Sequence, residues 1–165
     1  MTVTPEDNTL PSRALAMLQG FLDAAGLDAR AEIRPQDDEG VTLAVAGPDA
    51  ACLVGPRGQY LDALQHLLLL MVRHTRDQRP RLTVDADGYR ARRAETLSRF
   101  ARELAAQVAA NGEEAVTDPL NPMERRIVHT ALVDHPDVTT YSEGEEPNRY
   151  VVVTPRPDSG GGSKS

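Results

Sequence analysis

The chain has 165 residues, of which 40% are apolar, and a formal charge of −7, so it can build one ordinary domain or two small ones around a buried core. One cysteine, Cys52, excludes a disulfide framework and a cysteine-rich zinc site, and the longest apolar run, Leu67 to Val72, is too short to span a bilayer. The N-terminus lacks the basic and apolar regions of a signal peptide, so a soluble, cytoplasmic protein with no membrane span is expected.

Residues 1–11 read as a disordered lead-in. From Ser12 the spacing of Leu15, Leu18, Phe21 and Leu22 predicts a helix, with Ser12 as its N-cap and Gly26 as its stop. Residues 29–35 and 41–46 are strand candidates joined by a polar loop, 36–40. A short apolar helix over Ala50–Val54, with Cys52 read as a buried inert thiol, leads into Gly55-Pro56-Arg57-Gly58. The next helix is expected from Gly58 to Thr75, with Leu61, Leu64, Leu68 and Met71 inward, and a third strand over Arg81–Asp85. A long helix from Asp87 to Ala110 follows, its buried stripe read as Leu97, Phe100, Leu104 and Val108. Asn111-Gly112 stops it.

Beyond it Val116 marks a strand candidate, and Asn121-Pro122-Met123-Glu124 carries three agreeing signals for a helix start: a cap, a proline at the first position and a capping-box glutamate. That helix is expected to reach Val133, burying Met123, Ile127, Ala131 and Leu132. Strand candidates Val138–Tyr141 and Arg149–Thr154 flank an acidic turn, Ser142–Pro147. The tail 155–165 is read as flexible. No internal repeat is visible.

Two constellations carry chemistry. In Gly55-Pro56-Arg57-Gly58 the glycines permit a tight turn, and the helix beginning there directs unpaired N–H groups and a positive dipole end at it. Arg57 adds a full charge, while Pro56 removes one donor. Gln59 and Tyr60 open the following helix, and Tyr60, Leu61 and Leu64 are candidates for an apolar groove floor. Charge follows the same map: residues 1–51 carry three Arg against nine acids, 52–110 ten Arg against six, and 111–165 five basic residues against ten acids. The positive block begins at the turn, which suggests a local anion-binding face, although a solvated helix face gives the same count. On the later helix, Arg125 and His129 are four apart and share a face, where Arg can grip a phosphate and His can bond a sugar or base. Since His titrates near neutral pH, its contribution is expected to grow on acidification.

A G-x-x-G turn of this kind is how a KH domain clamps about four nucleotides of single strand. The order α-β-β-α-α-β around it is that of the type II KH fold. The segments Leu53–Gln65, Asp87–Leu97 and Asn121–Pro147 together closely resemble the bacterial Jag/KhpB family, over roughly residues 12–154. The resemblance implies an α+β chain: a KH domain over 12–86, a connecting helix over 87–112 and an R-x-x-x-H domain over 113–154. It also implies a single-stranded RNA-binding protein, a post-transcriptional regulator or RNA chaperone linked to cell elongation and division, with a KhpA-like KH protein or a second copy as partner. Carried over by position, the RNA-binding residues are Gly55, Pro56, Arg57, Gly58, Gln59, Tyr60, Arg125, His129 and Arg149. Pro56 stands where relatives usually have Lys, and Asn148 and Tyr150 flank Arg149 where many have an aromatic residue and a second Arg. The family's separate N-terminal Jag domain has no counterpart here, which puts a role at the membrane in doubt.

Other classes fit less well. No G-x-S-x-G elbow, Walker loop or H-E-x-x-H pattern is present, so no enzyme, metal or nucleotide cofactor is expected. His66 and His74 read as surface or packing residues. A protein-interaction scaffold and a single-stranded DNA binder stay open as alternatives. Six aromatic residues and no Trp argue against a stacking platform.

Overall fold

Helix α1 (Leu10–Ala24) is capped by Thr9, whose side-chain oxygen accepts the amide of Ser12. The expected cap, Ser12, is instead inside the first turn, its hydroxyl 2.8 Å from that of Thr9. Residues 9–11 therefore belong to the helix and its cap rather than to a lead-in, since Pro11 is tolerated so early in a helix. The computed structural model describes residues 9–35, 40–72 and 81–157. Chain contacts divide it into two units, Met1–Arg90 and Ala91–Ser165. The expected loop residues 36–39, the helix end at 73–75, His74, the lead-in residues 1–8 and the tail from 158 lie outside the described residues.

In the first unit β1 (Arg30–Pro35) runs antiparallel to β2 (Val41–Ala46), pairing Arg30 with Ala46 and Pro35 with Val41. Strand β3 (Leu82–Ala86) lies parallel to β2, so β2 is central. A parallel pair needs a long crossover. Here it contains single 3-10 turns at Ala50–Leu53 and Pro56–Gly58, followed by helix α2 (Gln59–Val72). The G-x-x-G turn is thus held between the sheet and α2. The core joins Leu18 and Leu22 of α1, Leu43 and Val45 of β2, Leu61, Leu68 and Val72 of α2, and Val84 of β3.

Three inward assignments are corrected. Met71 is 58% exposed, and Val72 takes its place. Eleven residues after Leu61 make about three helical turns, which brings Val72, and not Met71, back to the same face. Between them Gln65 accepts the Val84 amide at 2.9 Å and Arg90 Nη2 at 3.1 Å. Cys52 is exposed, because one 3-10 turn can direct only Ala50 and Leu53 inward.

Helix α3 (Tyr89–Asn111) begins two residues after the expected start. Asp87 and Gly88 have φ of 50° and 70°, left-handed values that cannot open an α-helix. Its buried stripe is Leu97, Ala101, Leu104, Ala105 and Val108, with Phe100 turned outward because the small Ala101 faces the core instead. From Leu97 onward α3 is more than the expected connector: it covers the second core, together with Val128 and Leu132 of α4 (Pro122–Leu132). The sheet of that unit has β6 (Tyr150–Pro155) in the centre, antiparallel to both β4 (Ala115–Val116) and β5 (Val138–Glu143). The α4 start is a full capping box: Asn121 Oδ1 accepts the Glu124 amide at 2.9 Å, and Glu124 Oε2 accepts the Asn121 amide at 3.2 Å. Met123 is exposed, a further correction. Glu124 and Arg125 turn inward instead, with Ile127 and Ala131 partly buried. The chain stays ordered past the expected tail start, Arg156 donating to the carbonyls of His135 and Val138.

Candidate nucleic-acid interface

The turn at residues 55–58 is shaped by two tyrosines. Gly55 has φ 66° and ψ −177°, a conformation essentially restricted to glycine, and a Cβ there would run into the Tyr60 ring. Gly58 has φ 80°, and a Cβ on it would lie 2.7 Å from the Tyr89 ring. Between them Arg57 is itself left-handed, at φ 53° and ψ 28°. Pro56, Arg57, Gln59 and Tyr60 are exposed and Gly58 is buried.

The turn departs from the sequence reading in two respects. The amides of Gly58, Gln59 and Tyr60 are not free, for they donate to the carbonyls of Gly55, Pro56 and Val54. What the turn offers an anion is therefore the Arg57 charge and the α2 dipole. Leu61 is wholly buried in the core and Leu64 partly so, which leaves Tyr60 as the exposed member of the expected groove floor. Sequence reasoning missed Tyr89, because nothing in the spacing links it to Gly58. The same end of α2 holds an ion pair, Asp62 with Arg90 at 3.0 Å.

Gly55→Ala is expected to lower stability by about 2 kcal/mol, since backbone strain alone is worth about 1–3 kcal/mol. Urea unfolding checks it. The same substitution in a Tyr60→Ala background separates strain from the ring clash, and a loss below about 0.5 kcal/mol would contradict the strained-turn account.

The second constellation lies where α4 meets β5 and the turn before β6. Arg125 is 7% exposed; Nη1 donates to the Leu120 carbonyl at 2.7 Å and Nη2 to Glu146 Oε1 at 2.5 Å. His129, one turn on, has Nδ1 2.7 Å from the Thr140 hydroxyl and Nε2 2.8 Å from the Ser142 hydroxyl. Arg149 is half-buried and joins the cluster through its backbone, its carbonyl accepting the Leu120 amide at 3.0 Å. Arg125 and His129 do share one face, and both are already bonded within the fold. Their partners come from the acidic turn and β5, which the sequence reading had singled out only as turn and strand. Nearby, Arg93 pairs with the capping-box Glu124 at 2.7 Å.

Burial, and after it the Arg125 charge, hold the His129 imidazole below its ordinary 6.5. The expectation that His129 gains charge readily on acidification is thereby reversed. Because the unfolded chain takes up the proton first, this contribution to stability is complete above pH 6.5 and is lost as pH falls through the folded value. Between about pH 7.5 and pH 5, the urea midpoint of wild type should fall more than that of His129→Asn. A steeper fall in the variant would contradict this sign.

Among the described residues no group of three His, Cys, Asp or Glu is placed to hold a metal ion, and no helix is long and apolar enough to cross a membrane.

The R-x-x-x-H domain family matches residues 95–155, the segment that holds α4, its Arg125 and His129, and the sheet beneath them. The chain is 36% identical over 148 residues to RNA-binding protein KhpB of Clostridium symbiosum, covering 88% of this chain and 66% of that protein. The chain belongs to the KhpB family. It is also 39% identical over 104 residues to RNA-binding protein KhpB of Lactiplantibacillus plantarum, covering 63% of this chain and 32% of that protein. With RNA-binding protein KhpB of Bacillus subtilis it shares 39% over 112 residues, 67% of this chain and 54% of the relative. The chain thus spans less than two thirds of the length of these KhpB relatives. The fold expected of the family, α+β in two small sheets, is the one observed.

Proposed function

We propose that this chain binds single-stranded RNA, with the first unit acting as a type II KH domain and the second as an R-x-x-x-H module. The observation that carries the reading is the exposed, left-handed Arg57 between Gly55 and Gly58 at the positive end of α2. A guanidinium held there meets a sugar-phosphate backbone without any base readout, which suits binding of modest sequence preference. The printed names of the KhpB relatives support RNA as the ligand. Gln59 and Tyr60 border the first site; Arg125, His129 and Arg149 form the second. Two modules on one chain raise the overall affinity beyond that of either. On this reading the protein needs no cofactor and performs no catalysis, and it acts in the cytoplasm in post-transcriptional control linked to cell elongation and division.

A second reading, a scaffold that pairs with a KhpA-like KH protein or a second copy, is favoured by one feature. Leu67, Leu70 and Met71 are each more than half exposed along one side of α2. Fluorescence anisotropy with a labelled single-stranded RNA of about 20 nucleotides, set against DNA of the same sequence, discriminates the readings. Salt-sensitive binding that favours RNA supports the first. Absence of binding to either strand overturns it and leaves the scaffold.

A further inference from the structure

We propose that Glu146 is an internal competitor for the phosphate site of the second unit: its carboxylate occupies Arg125 until a phosphodiester of single-stranded RNA replaces it and also engages Arg149. The inference rests on the RNA-binding reading above.

The Arg125 guanidinium has two different ends. Nη1 is anchored to the Leu120 backbone, whereas Nη2 meets an anion, the Glu146 carboxylate. The arginine side chain is 9% exposed and the glutamate side chain 52% exposed, so the anionic half of the pair faces solvent and can be approached. Glu146 is carried on a turn whose residues Glu143–Asn148 are all exposed. Carboxylate and phosphate oxygens accept the same charge-assisted bond from a guanidinium, so one can substitute for the other. A buried Arg⁺ left without a partner is strongly unfavourable. The pair therefore exchanges one anion for another and does not simply open, which excludes neutral ligands.

A second observation points to the same ligand. Among the described residues, Arg149 Nε is the one buried side-chain nitrogen or oxygen without a hydrogen-bond partner. Such a donor lacks an acceptor that the fold does not supply. Arg149 accepts the Leu120 amide while Arg125 donates to the Leu120 carbonyl, so both arginines are tied to one residue. An incoming phosphodiester has several oxygens, enough to replace Glu146 on Arg125 and to satisfy Arg149. Until then the apparent affinity is reduced by the fraction of molecules in which Glu146 holds the site.

The test is Glu146→Gln in the full chain. The amide keeps an acceptor for Arg125 Nη2, which preserves the turn while removing the competing charge. Glu145→Gln is the control, with the same change in net charge next door. Anisotropy with a single-stranded RNA of about 20 nucleotides should show Glu146→Gln binding about three- to tenfold tighter than wild type, and Glu145→Gln within about twofold. Equal gains in the two variants, or weaker binding by Glu146→Gln, would overturn the proposal. A second readout does not depend on RNA. With inorganic phosphate as the probe, the Nε–H resonances of Arg125 and Arg149 should shift in Glu146→Gln at concentrations that leave wild type unmoved. If they do so while no variant binds RNA, the RNA reading fails and the competitor stands. Resonances that stay unmoved in Glu146→Gln refute the competitor whatever RNA does.

Discussion

Arg125→Met is expected to destabilise the second unit by about 2–3 kcal/mol, the largest single-residue effect the fold implies. Methionine fills the space of the buried stem, so little of the loss comes from a cavity. What disappears is the donor to the Leu120 carbonyl, in a residue that is itself 5% exposed. Leaving such an acceptor unsatisfied costs about 1–3 kcal/mol. Removing one member of a fully buried ion pair costs about 3–5 kcal/mol, because the other charge is stranded. Here the stranded partner, Glu146, is half exposed and regains water, which places the loss at the lower figure. Urea unfolding followed by circular dichroism measures it. A loss below about 0.5 kcal/mol would mean that Arg125 is not a structural member of the fold.

This result bears on how an Arg/His signature is to be understood. The pair Arg125 and His129 was legible from spacing alone, as was the helix that carries it, since Asn121, Pro122 and Glu124 signal its start within a single turn. Their engagement was not legible. Arg125 bonds Glu146, 21 positions away, and His129 bonds Thr140 and Ser142, 11 and 13 positions away. Local pattern does not report which distant strand will supply a partner. Met71, Phe100 and Met123 were assigned inward on residue type, whereas helical phase turned Val72, Ala101 and the Glu124–Arg125 pair to the interior. The late start of α3 has the same character, for Asp87 and Gly88 are left-handed only because the chain must turn there after β3. The turn at 55–58 was visible from its glycines. The tyrosine rings that require those glycines were not, since Tyr89 lies far along the chain from Gly58.

The second large effect concerns that turn. Pro56→Asp/Arg57→Asp places two negative charges where the proposal puts an RNA phosphate, at a site exposed enough for the domain to remain folded. Aspartate tolerates the left-handed conformation that Arg57 adopts, better than most residues. Pro56, at the entry of the turn, is equally exposed. Affinity for single-stranded RNA should fall by about tenfold or more, through one lost contact and two new repulsions. The slope of log affinity against log salt should also shrink by about 0.7, the share of one phosphate contact on a single strand.

The central claim is that the exposed Gly55–Gly58 turn holds an RNA backbone. It is tested most directly by anisotropy of wild type and Pro56→Asp/Arg57→Asp on one labelled single-stranded RNA, at two salt concentrations, with circular dichroism to verify folding. The account predicts salt-sensitive binding by wild type that the folded variant largely loses, with a shallower salt slope. Equal affinity and equal slope in the two proteins would contradict it.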